Sequence, residues 1–107
     1  MSESIGLKTQ LKMSFDDAIQ RTTEALKAEG FGIITEIDMQ ATFKNKLDVD
    51  FRPYRILGAC NPKLAHSALM SDAEVGMLLP CNVTVTEIEA GVVEVSAVNP
   101  RQMRVGP

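Results

Sequence analysis

The segment "CNVTVTEIEAGVVEVSAV", residues 81–98, decides the fold class. Cys81, Val83 and Val85 alternate with Asn82, Thr84 and Thr86, the two-residue period of a strand with one apolar face. Ala90-Gly91 reads as a hairpin turn, after which Val93, Val95 and Ala97 resume the apolar side. Two strands follow one another with no helix between them, so a regularly alternating, doubly wound sheet is excluded. Strands that are apolar on one side imply a sheet covered on one side, hence an α+β two-layer sandwich, largely antiparallel, with helices packed on one face. The alternation extends back through Leu79 to Met77, which predicts that the first of these strands starts there.

Working outward, "YRILGAC" (54–60) is an apolar strand, and Asn61-Pro62 is the cap and first-turn pair of a helix over about 62–71, with Leu64, Ala65, Ala68 and Leu69 as its buried stripe. Asp72 and Gly76 bracket its exit. Upstream, "FGIITEIDM" (31–39) alternates, which predicts Phe31, Ile33, Ile37 and Met39 inward, Glu36 and Asp38 outward, and Thr35 as the polar exception. A short helix or turn around "QATFKNKL" and a loop through "DVDFRP" separate these two strands, because Pro53 opposes a continuing helix.

At the start, "IGLKTQLKM" (5–13) sets Ile5, Leu7, Leu11 and Met13 against Lys8, Gln10 and Lys12, a half-buried strand. Ser14 caps and Gly30 closes a helix whose apolar face is Phe15, Ala18, Ile19, Thr22, Ala25 and Leu26. From Asn99 to Pro107 the chain is polar and predicted to fray or dock late.

With 107 residues, the chain has the size of one domain, spanning 1–107, that buries a single core without metal or disulfide. The formal net charge of −3 argues against a general nucleic-acid binder, which needs excess Lys and Arg to displace counterions from phosphates. No apolar run approaches the roughly 20 residues of a membrane span, and no secretory leader pattern is visible, so a cytoplasmic location is expected. The two cysteines lie outside any Cys-x-x-Cys motif, which removes the thioredoxin and zinc-ribbon signatures.

The segments "GFGIITEID" (30–38), "KLDVDFRPYRILGACNPKLAHSAL" (46–69) and "VGMLLPCNVTV" (75–85) resemble the family of domain of unknown function 302, over about residues 14–100. The resemblance implies a compact α+β two-layer fold, similar in topology to a TATA-binding-protein half, and dimers in bacteria and archaea. Some relatives look associated with sulfur metabolism. No activity is established for the family, so the resemblance transfers no functional residues and no cofactor.

Four constellations could carry chemistry. Cys60, just before a helix, lies near unpaired N–H groups that favour thiolate, or it is a small residue filling a strand-to-helix corner. Cys81 belongs by period to the core-facing side. The two meet at one sheet edge if their strands are parallel neighbours; if antiparallel, Cys81 falls mid-strand and the outcome depends on register. Cys60, His66 and Cys81 could bind zinc or copper, though His66 lies off its helix's apolar stripe and a fourth ligand is missing. Lys46, Arg52, Tyr54, Arg55 and Asn61, with Lys44 nearby, could form an anion pocket, or Asp48 and Asp50 could neutralise it as ordinary surface pairs. Glu36 and Asp38 point the same way, but no second motif supports acid-base catalysis.

The expectation is therefore a small homodimeric domain that binds a small ligand or protein partner without a conventional catalytic apparatus. The alternatives are a thiol-based redox or sulfur-handling protein and a small metal-binding domain. The dimer has a physical motive too, since a one-sided sheet leaves strand edges and an open face to cover.

Overall fold

In a computed structural model describing residues 6–98, the chain folds as β1 (Gly6–Lys12), α1 (Phe15–Ala28), β2 (Gly32–Asp38), α2 (Met39–Leu47), β3 (Tyr54–Cys60), α3 (Pro62–Ser71), a 3-10 helix (Ala73–Leu78), β4 (Cys81–Glu89) and β5 (Val92–Val98). The expected strand at Ile5 and the expected frayed tail, residues 99–107, lie outside the described residues.

Each helix starts where a side chain can satisfy an orphan N–H. Ser14 accepts from the Asp17 amide at 3.1 Å, Asp38 from the Ala41 amide at 2.9 Å, and Asn61 from the Leu64 amide at 3.2 Å. Helix α1 ends in a Schellman arrangement: the Gly30 amide donates to the Lys27 carbonyl and the Phe31 amide to that of Leu26. Gly30 sits at φ +88°, in the left-handed region that glycine enters without a Cβ clash.

All strands pair antiparallel in the order β1-β5-β4-β3-β2. Strands β1 and β2 are thus the two edges, and α1 must carry the chain from one edge to the other. Four inter-strand spacings amount to about 19 Å. Fourteen helical residues reach about 21 Å, so α1 with its short flanking turns makes the crossing. In doing so it packs against β2, β4 and β5. Ala18, the fully buried residue of its apolar face, joins Leu57, Val83, Val85 and Val93 in the core, flanked by Leu11, Phe15, Ile19, Leu26, Ile33, Val95 and Ala97. This is the expected α+β class, a five-strand antiparallel sheet with helices, whose core lies between α1 and the sheet.

Three expectations need correction. First, Met77 and Leu79 do not extend β4, which begins at Cys81; Asp72 caps a 3-10 helix instead, accepting from the Glu74 amide at 2.9 Å. Pro80, which has no N–H to give a ladder, marks the boundary. Second, β2 changes phase. Ile33 pairs with Ala59 but Thr35 pairs with Gly58, so Ile34 is an extra, bulged residue. Beyond it, Glu36 and Asp38 fall on the α1 side opposite Leu57 and Arg55, while Ile37 joins Ile56 on the other side. The period-two count fails because one inserted residue inverts every later side chain. Third, Leu64 and Leu69 of α3 are not buried: Leu64 remains 62% and Leu69 42% exposed, and only Ala65 and Ala68 are half-buried. Helix α3 packs mainly on the following 3-10 helix rather than on the sheet.

Candidate functional site

The register separates the sequence's candidate residues. Ala59 is the direct partner of Cys81, so Cys60 lies one step beyond and alternates to the opposite face. Both thiols are half-buried and free, at the same end of the sheet. Their strands are antiparallel, yet Cys81 opens β4 instead of falling mid-strand. Side chains that leave a sheet in opposite directions cannot be bridged without moving the backbone. His66 is exposed on α3, and among the described residues no three His, Cys, Asp or Glu side chains gather as a metal site.

The proposed anion pocket does not assemble either. Arg55 faces the α1 side, where Nη1 lies 2.6 Å from Glu36 Oε2, Nε lies 3.7 Å from Asp38 Oδ2, and the guanidinium lies 5.7 Å from the Phe15 ring centroid. Its charge is committed to the two carboxylates that the bulge at Ile34 placed on the α1 side. Tyr54, the next residue along, points to the opposite face. Asn61 is at the far end of β3, where its oxygen caps α3 and its amide nitrogen lies 3.0 Å from where a Cβ of Gly30 would be. Lys46 is exposed on the last turn of α2, and Lys44 is engaged by Asp48 at 3.1 Å and Asp50 at 3.3 Å.

What the fold does build is a recess on the face away from α1. Tyr54 and Ile56 of β3 form its floor, and Met39 and Phe43 of α2 with Phe51 of the following loop form its walls, around an open volume of about 320 Å³. Helix α2 reaches this face because it caps directly on Asp38 at the end of β2 and turns back along β3. Asp48, at φ 53°, closes the helix in a left-handed turn that sends the chain back. Phe43 and Phe51 meet edge to face at 5.1 Å between centroids, and Phe51 and Tyr54 are tilted at 6.2 Å. The Gln40 amide donates to the Phe51 carbonyl at 2.9 Å, fixing the loop to the helix.

Arg52 stands beside this recess. Its guanidinium carbon is 4.8 Å from the Phe51 ring centroid, and Nε–H donates to Thr86 Oγ1 at 3.0 Å. The Thr86 hydroxyl in turn donates to the Pro53 carbonyl at 2.9 Å, and Thr86 itself is buried. Of the five pocket candidates, then, Tyr54 and Arg52 come together, and Arg55, Asn61 and Lys46 do not join them. The apolar members Met39, Phe43, Phe51 and Ile56 were not singled out from sequence. The signal available was the aromatic spacing of Phe43, Phe51 and Tyr54 around a short helix, which reads equally well as core.

A family model described as "Domain of unknown function DUF302" matches residues 7–106. A solved structure, "Crystal structure of uncharacterized conserved protein DUF302 from Bacillus stearothermophilus", is similar at a TM-score of 0.84 and 28% identity, over 94% of this chain and 78% of that one. A search of curated proteins finds no match. Among the described residues no helix is long and apolar enough to cross a membrane. The match spans nearly the whole described fold, and on it the chain belongs to the DUF302 family.

Proposed function

We propose that this domain is a ligand-binding module whose site is the recess between α2 and the open face of β3. The observation that carries this reading is a cavity of about 320 Å³ with five apolar or aromatic walls, set on a rigid strand and a doubly capped helix. Its volume is at the lower end of small-molecule sites, which suits a bicyclic or short-chain apolar body. Tyr54 is the chain's single tyrosine and there is no tryptophan, so intrinsic emission reports on the recess floor alone. Titration with phenylnaphthylamine, a neutral apolar dye, is expected to change Tyr54 emission saturably, and Phe43→Ala to weaken binding about fivefold or more by removing an aromatic wall. Absence of binding, or binding indifferent to Phe43→Ala, would overturn the reading. The thiol alternative in its paired form has less support, because Cys60 and Cys81 leave the sheet on opposite sides.

A second observation favours self-association. Leu64, Leu69, Met70, Met77 and Leu78 are exposed along α3 and the 3-10 helix that packs on it, with Met77 78% exposed. Over residues 62–78 the chain carries few charges, Lys63, Asp72 and Glu74. A nearly uncharged apolar surface offers nothing for a charged partner to match and resembles the interfaces of homodimers. The spacing of Leu64 and Leu69 asks for burial that one copy does not provide, and we assign it to a second copy of this chain. Light scattering at micromolar concentration is expected to give a dimer, and Leu64→Lys with Met77→Lys a folded monomer. A wild-type monomer refutes the assignment, and a dimer that survives both substitutions refutes the surface.

A further inference from the structure

Resting on the recess reading above, we infer that the ligand is an amphipathic anion: an apolar body seated against Phe43, Phe51 and Ile56, carrying a carboxylate, sulfonate or phosphate bound by Arg52. The cations of this region divide by their commitments. Lys44 is held by Asp48 and Asp50, and Arg55 by Glu36 and Asp38 on the opposite face, while Lys46 is exposed on the last turn of α2. Arg52 makes no ion pair among the described residues, and its one hydrogen bond there uses Nε alone. A guanidinium has five N–H donors, so the two Nη groups keep theirs available for an acceptor.

The arginine is also held in place before any ligand arrives. Stacking on Phe51 and the Nε–Thr86 contact, itself anchored through Thr86 to the Pro53 carbonyl, fix the side chain against the cavity wall. Part of the rotamer entropy that a free arginine would lose on binding is thereby lost on folding. A planar fork fixed in this way suits the paired oxygens of a carboxylate, sulfonate or phosphate better than a flexible ammonium does. Because it stacks on Phe51, itself a wall of the recess, an anion held by its Nη groups lies within a few ångströms of that wall. The protein's net charge of −3 repels anions at long range, so recognition depends on this local contact rather than on a general positive field.

Two dyes that differ by one sulfonate test the inference: anilinonaphthalenesulfonate and neutral phenylnaphthylamine, each titrated into the full chain. The sulfonate is expected to bind about tenfold tighter than the neutral dye, as befits a charge-assisted hydrogen bond. Arg52→Gln is expected to remove that advantage, weakening the sulfonate far more than the neutral dye, and Phe43→Ala to weaken both. Added salt is expected to weaken the sulfonate only. If both dyes bind at the recess with equal affinity, or if Arg52→Gln weakens both alike or neither, the anion inference falls and the recess reading stands. If neither dye binds, or neither responds to Phe43→Ala, the recess reading itself falls. Should Arg52→Gln fail to fold, the salt titration of the wild type decides: equal salt dependence for the two dyes overturns the inference.

Discussion

Gly58, in the middle of β3, should tolerate no side chain, and the reason is geometric rather than conformational. A Cβ built there lies 2.7 Å from Pro80 Cγ and closer still to Thr35 Oγ1. Thr35 is its partner across β2, placed on that face by the bulge at Ile34, and Pro80 precedes its neighbouring strand β4. A methyl group would have to push one edge strand outward or displace a proline ring that has no rotamer to swing into. Overpacking of this kind costs about 1–3 kcal/mol. Against it stands the backbone-entropy gain from replacing a strand glycine with alanine, about 0.5–1 kcal/mol. Both contacts lie under 3.0 Å, which puts the steric term in the upper part of its range, so Gly58→Ala is expected to lower stability by about 1–2 kcal/mol. For a domain of this length that is a fall in Tm of about 4–16 °C. Gly32, on the edge strand of the same sheet, has nothing within 4 Å of a built Cβ, so Gly32→Ala is expected to be neutral or stabilising by up to about 0.5 kcal/mol. Urea unfolding followed by circular dichroism measures both. The double variant Gly58→Ala, Thr35→Ala should recover part of the loss, because it removes the nearer of the two contacts. A Gly58→Ala protein as stable as the wild type, or a pair of glycine variants with equal effects, would refute the packing described at this corner.

The core, the surface ion pair and the two thiols give three further expectations. Leu57 is fully buried beneath α1, and Leu57→Ala should cost about 2.5–5 kcal/mol, a large share of the stability of a small domain, visible as a fall in urea midpoint with little change in slope. Glu36→Gln removes the negative charge from the 2.6 Å contact to Arg55, but both side chains keep substantial exposure, so the loss should stay below about 1 kcal/mol and shrink with added salt; a larger, salt-independent loss would mean the pair is effectively buried. Treatment of native protein with diamide should leave the mass of the folded monomer without a Cys60–Cys81 bridge, since the thiols emerge on opposite faces; an intramolecular disulfide under native conditions contradicts the β3–β4 register.

Most element boundaries were legible because local chemistry sets them. Ser14, Asn61-Pro62, Gly30 and Ala90-Gly91 each satisfy or relieve the backbone within a few residues, so their effect does not depend on the rest of the molecule. The consecutive Val83, Val85 and Val93, Val95 alternations place the core correctly for the same reason. Legibility failed at Ile33-Ile34, where two adjacent isoleucines signal a bulge only once β3 is present to define the register. It failed again over α3, whose apolar stripe reads as core but lies largely exposed beside the 3-10 helix.

The sequence by itself determined an α+β domain, its helix caps, its closing hairpin and the valines of its core, because each of these is fixed by contacts short along the chain. Only the tertiary structure decided which face each thiol and each arginine occupies, and that Met39, Phe43, Phe51, Tyr54 and Ile56 come together as a recess. Strand order and register couple residues far apart in sequence, and with a side-chain period of two, a single bulged residue reverses the outcome.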